Sequence, residues 1–144
     1  MSFFTKPKPK TIRLKTKAKK LSWFEDKNIQ KEMTEIVNTL SMSHINTERI
    51  FCYRTTGSKA RAYARIWSFP KIFQQVLEIE AAYVMEVISE RFDKLDKDNR
   101  RKVIIHELLH VPKNFSGSLL PHKYGHTRIE KEVNVLFDKY MNSK

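Results

Sequence analysis

His106-Glu107-Leu108-Leu109-His110 has the residue types and spacing of a metal-assisted hydrolase. Residues four apart on a helix project from nearly the same side, so His106 and His110 can reach one metal ion together. Glu107 stands beside them, where a carboxylate can take a proton from water activated by that ion. The surrounding Ile104, Ile105, Leu108 and Leu109 predict a buried helix. Two imidazoles and a carboxylate buried on it need a partner, and a metal ion is one. Zn2+ suits the donor set, although nitrogen sites accept other divalent metals as well.

A catalytic zinc usually takes three protein ligands and keeps a fourth position for water. His122, His126 and Glu130 follow at intervals of four and are the candidates for the third ligand. If the last helix opens near Pro121, all three share a face and the helix register selects among them. Glu130 has a competing use, because Thr127 three residues earlier could form a capping box with it. Pro121-His122 directly follows a loop and is under little helical constraint, which favours His122 and leaves His126 as the alternative. Tyr124 is a candidate oxyanion donor, with a packing role as its ordinary reading. Glu86, Glu90 and Asp93 are candidates to orient a ligating histidine, or else exposed partners of basic side chains.

The elements that must hold these residues can be read from the pattern. Ile29, Met33, Ile36, Val37 and Leu40 fall at offsets 0, 4, 7, 8 and 11, one stripe of an amphipathic helix over about residues 24–42. Residues 50–54 and 63–69, aromatic and β-branched, read as strands joined through Thr55-Thr56-Gly57-Ser58. Pro70 can open a short helix over Lys71–Leu77, and residues 83–88 form a third strand candidate, although so short an apolar run also allows a helix. Asp96 to Asn99 offer N-caps for the histidine helix, and Pro112 should stop it. Ile129, Val133, Leu136, Phe137 and Tyr140 repeat the 0, 4, 7, 8, 11 stripe in a closing helix. Helix, strands, metal helix, loop and closing helix predict a small α+β domain.

The chain has 144 residues and a formal net charge of +12. Residues 1–20 hold eight Lys/Arg and no acid, which predicts a basic arm ahead of a domain spanning 21–144. Such an arm either solvates the chain or anchors it to a polyanion such as nucleic acid. A second nucleic-acid signal lies in residues 49–71. Arg61, Tyr63, Arg65, Trp67 and Phe69 alternate onto one strand face, with Arg49, Arg54, Lys59 and Lys71 close in sequence. The opposing expectation is that Tyr63, Trp67 and Phe69 form the core, since Ala62, Ala64 and Ile66 offer little bulk on the other face. A basic binding protein with an inactive or structural metal site is therefore the alternative to a peptidase. The lone Cys52, the lack of an apolar N-terminal core and the lack of an apolar run of about twenty residues predict a cytoplasmic protein without a membrane span.

Val87-Ile88-Ser89-Glu90-Arg91-Phe92-Asp93, Val103 through Lys113, Phe115-Ser116-Gly117 and Pro121-His122 together resemble the phage metallopeptidase family over about residues 62–142. A weaker similarity is to SprT-like proteases. The resemblance implies a zincin-like fold with a short β-sheet, an active-site helix and a C-terminal helix. It implies peptidase activity on protein or peptide substrates, with His106, His110 and His122 on zinc and Glu107 as base. His126 is less characteristic of that family than His122.

Overall fold

A computed structural model describes residues 19–122 and 126–144. They form an α+β domain in which one face of a four-stranded sheet carries the main helices. The elements run β1 (Ser22–Glu25), α1 (Lys27–Thr39), a 3-10 turn (Thr47–Arg49), β2 (Ile50–Thr56), β3 (Ala64–Ser68), α2 (Lys71–Leu77), β4 (Tyr83–Ile88), α3 (Ser89–Phe92), α4 (Lys97–Leu108) and α5 (His126–Asn142). The sheet order is β1-β2-β4-β3. β2 and β4 run parallel, while β1 and β3 pair antiparallel on their outer sides.

α1 forms where its apolar stripe predicts. Asp26 caps it by accepting from the Ile29 amide at 3.0 Å, and the same carboxylate accepts from Arg54 Nε of β2 at 2.8 Å. The helix start is thereby tied to the sheet. Ile29, Met33, Ile36 and Val37 are buried against Ile50, Cys52, Met85 and Val87. The expected start at residue 24 is corrected, because residues 22–25 are pulled into β1 by pairing with Tyr53 to Thr56.

α4 begins at an Asp96 cap that accepts from the Asn99 amide at 2.8 Å. Its inner stripe is Arg101, Ile104, Ile105 and Leu108, and Glu107 is buried beside it. α5 packs on α4 through Val133, Phe137 and Tyr140. The buried Arg101 links three helices: it pairs with Glu32 of α1 at 3.4 Å and lies over the Tyr140 ring of α5 at 5.3 Å.

β3 corrects a second expectation. Ala64 and Ile66 face the helices and are buried, whereas Tyr63 and Trp67 are about half exposed. Small side chains are needed inward because α4 crosses β3 closely. The aromatics therefore stand on the sheet face away from these helices or at its end. The basic set also shrinks by one: Arg54 is engaged by Asp26 and by Asp93, the latter at 2.6 Å.

Candidate metal centre

Three histidines from two segments meet at the end of α4. The helix closes at Leu108, one turn earlier than Pro112 predicts, and His110 lies in the turn that follows. The His110 amide still bonds the Glu107 carbonyl at 3.2 Å, so the turn tightens and the ring stays on the side of His106. The two ring centroids are 5.2 Å apart.

His122 arrives through a loop held at two points. Near its middle, the buried Tyr83 at the start of β4 accepts from the Gly117 amide at 2.9 Å and donates to the Ser118 carbonyl at 2.8 Å. Phe115 stands edge-on to the Tyr83 ring at 5.0 Å. Gly117 has φ +90°, and a Cβ there would lie 2.6 Å from the Phe69 carbonyl oxygen, so the close approach requires glycine. Further on, the Leu120 amide donates to the His110 carbonyl at 2.7 Å. His110 Nδ1 lies 2.6 Å from the Leu120 carbonyl oxygen, so it carries the hydrogen and donates. That bond fixes the tautomer and leaves His110 Nε2 as a lone-pair donor.

Pro121 and His122 follow directly. His122 Nε2 stands 3.2 Å from His106 Nε2, and the His110 and His122 rings are 4.5 Å apart. One ligand nitrogen from each of the three histidines lies within 4.8 Å of the other two. Tetrahedral bonds of about 2.0–2.1 Å would put neighbouring ligand nitrogens roughly 3.3 Å apart. The donor set and its spacing therefore fit a zinc-sized cation.

Glu107 points into the same region from the buried side of α4, and it is 8% exposed. Burial pushes its carboxyl up to about 7, while the Ile66 backbone pulls in the opposite direction. A cleft of about 570 Å³ opens over the site, lined among others by Ile66, Trp67, Leu119 and Leu120. A second cleft flanks His106 and Glu107 on the α5 side, and Glu130 and Tyr63 lie along it.

Glu130 is outside the histidine cluster found among the described residues. His126 opens α5, but its side chain, the Thr127 side chain and all of Tyr124 lie outside the described residues. Glu86, Glu90 and Asp93 are not the histidine-orienting carboxylates that the sequence allowed. Glu86 binds Trp23, Thr55, Arg65 and Trp67 on the opposite sheet face. Glu90 accepts from the Gly57 amide, and Asp93 pairs with Arg54. Tyr83 escaped sequence reasoning, its one visible signal being a hydroxyl at the head of an apolar strand.

The family described as "Putative phage metallopeptidase" matches residues 21–139. The chain belongs to that family. The match begins well before residue 62, so β1, α1 and β2 are part of the family domain and not additions to it. No curated protein and no solved structure gives a match. Family membership makes this a metallopeptidase-type hydrolase that binds a metal and acts on protein or peptide. No helix among the described residues is long and apolar enough to cross a membrane.

Proposed function

We propose that this protein is a zinc-dependent peptidase in which His106, His110 and His122 hold the metal and Glu107 is the general base. The observation carrying this reading is the convergence of His122, brought by the Tyr83-locked loop, on the two helix-end histidines. Bound there, zinc would supply Lewis acidity to polarise the scissile carbonyl and acidify the attacking water. Glu107 takes the proton from that water and delivers it to the leaving amine, so one carboxylate serves as base and then as acid. Its burial is what gives it a proton affinity matched to neutral pH. A nearby cation favours the ionised carboxylate and opposes the effect of burial.

β3 is an edge strand, and it lines the cleft over the histidines. Its outer backbone groups offer hydrogen bonds to an extended peptide, while Leu119, Leu120 and Trp67 offer apolar contact. The same reading has the chain act in a reducing compartment of the cell. Cys52 is buried and its thiol is pushed up to about 12 by burial, so it is inert.

Glu107→Gln keeps the shape of the side chain and removes its basicity. Zinc content should remain at one per chain while hydrolysis of a denatured protein substrate falls at least a hundredfold, following the usual size of acid–base contributions, about 10²–10⁴. Hydrolysis at the wild-type rate would remove Glu107 from the chemistry.

A further inference from the structure

Two residues that line the histidine cleft, Arg65 and Trp67, are fastened on the other face of the sheet. Register sets Arg65 of β3 opposite Glu86 of β4, with Trp67 two residues on. Glu86 Oε1 accepts from Arg65 Nε at 3.1 Å and from the Trp67 indole N–H at 3.2 Å. Glu86 Oε2 accepts from the Trp23 indole N–H at 3.2 Å and from the Thr55 hydroxyl. The Arg65 guanidinium also lies over the Trp67 ring at 5.5 Å.

A carboxylate with four donors and 4% exposure is no ordinary surface acid. Burial raises its pKa, but Thr55, Trp67, Arg65 and Trp23 together outweigh burial and hold it below the usual carboxylate range. Glu86 is therefore an anion at neutral pH. One consequence is geometric, because Trp67 is pinned by its N–H while Arg65 lies over its ring. The other is electrostatic, because the one cation β3 brings to the cleft wall is matched at 3.1 Å by a buried anion. Beside the histidines, that wall then offers Ile66, Trp67, Leu119 and Leu120 with little net charge.

We infer that Glu86 is a positioning residue for substrate selection: by fixing Trp67 and matching Arg65 it makes the cleft take polypeptides that present an uncharged apolar side chain beside the scissile bond. This selection presupposes the zinc peptidase reading, and Glu86 acts through β3 without touching the histidines. An acidic side chain gains nothing from Arg65 while Glu86 matches it, and it loses water on entering an apolar wall. Glu86→Gln keeps the shape but has one acceptor oxygen, and its amide N–H groups would face a donor whichever way it turns. Arg65 is then an unmatched cation at the cleft.

Fluorescent peptides of repeating Ser-Leu-Gly and repeating Ser-Glu-Gly test the inference, since each presents its one side chain in every register. The zinc-loaded full chain should hydrolyse the leucine peptide with the higher kcat/KM. In Glu86→Gln that discrimination should fall on the order of tenfold, through KM more than kcat. Arg65→Met in the wild-type background leaves the acid intact and the anion unmatched, so rejection of the glutamate peptide should sharpen. The double variant, with both charges gone, should return towards wild-type discrimination. Wild-type discrimination in both single variants overturns the inference. So does an equal loss on both peptides that the double variant does not repair, which would make Glu86 a fastener of the sheet alone. Binding of the two peptides to zinc-loaded Glu107→Gln, by fluorescence anisotropy, reads the preference without hydrolysis. A leucine preference there that Glu86→Gln weakens, with no hydrolysis by the wild type, would sink the peptidase reading and keep the selection. Equal binding of the two peptides would sink the selection.

Discussion

Replacing Tyr83 by Phe removes one hydroxyl, more than a dozen residues before the histidine helix begins, and should weaken zinc binding. The ring is fully buried and its packing survives the change. What is lost is the pair of hydrogen bonds that locks the returning loop: the 2.9 Å bond from the Gly117 amide and the 2.8 Å bond to the Ser118 carbonyl. Ser118 is exposed, so its carbonyl regains water at little cost. Gly117 is buried, and its amide is left unsatisfied, which costs about 1–3 kcal/mol. The variant can escape that cost by releasing the loop, and with it Leu120 and His122. Zinc affinity then falls by the fraction of molecules with the loop docked, about tenfold for 1.4 kcal/mol. Competition with a fluorescent zinc chelator measures this directly. Tyr140→Phe is the matched control, since its hydroxyl bonds Glu35 at 3.3 Å at the far end of α5. The coupling of loop to metal site is refuted if Tyr83→Phe binds zinc within twofold of the wild type while its melting temperature drops.

Gly117→Ala should be worse than Tyr83→Phe, because φ is +90° and the new Cβ would meet the Phe69 carbonyl at 2.6 Å. A loss of at least about 2 kcal/mol, roughly 4–8 °C in melting temperature, is expected by calorimetry. Arg101→Ala removes the link between α1, α4 and α5; since the Glu32 side chain is 26% exposed, the cost should be about 2 kcal/mol, under the 3–5 kcal/mol of a fully buried pair, by urea unfolding. Acid should destabilise the fold partly through Asp26. Burial raises its pKa, but the Ile29 amide and Arg54 together outweigh burial and hold it below the ordinary 3.8. The folded chain therefore binds fewer protons there than the unfolded chain, so the stabilisation is full above pH 3.8 and is lost as pH falls through the lower folded value. Asp26→Asn should flatten the acid limb of a stability-against-pH curve, and an unchanged limb would remove Asp26 from it.

The long amphipathic helices were legible because each buries one stripe, and the stripe Ile29 to Leu40 needs no knowledge of its partner. The same holds for α5; β4 was less legible, because its run is buried almost throughout and so short an apolar segment fits a strand or a helix. β1 was not legible. Ser22 to Glu25 is four residues with no clear alternation, and it is a strand only because β2 offers it a free edge. The facing of β3 was misread from bulk: the rule that large side chains go inward lost to the close crossing of α4, which leaves room for Ala64 and Ile66 but not for Trp67. At the candidate site, His106, Glu107 and His110 announce themselves by spacing alone. His122 does not, because it depends on the Tyr83 lock and on the reciprocal Leu120–His110 bonds, contacts between segments far apart in sequence.

X-ray absorption at the zinc edge, on the wild type and on His122→Ala, tests the metal site most directly. Three imidazole nitrogens at about 2.0–2.1 Å are expected in the wild type, and two with a compensating oxygen or solvent ligand in the variant. An identical coordination shell and affinity in the two proteins would contradict the three-histidine site.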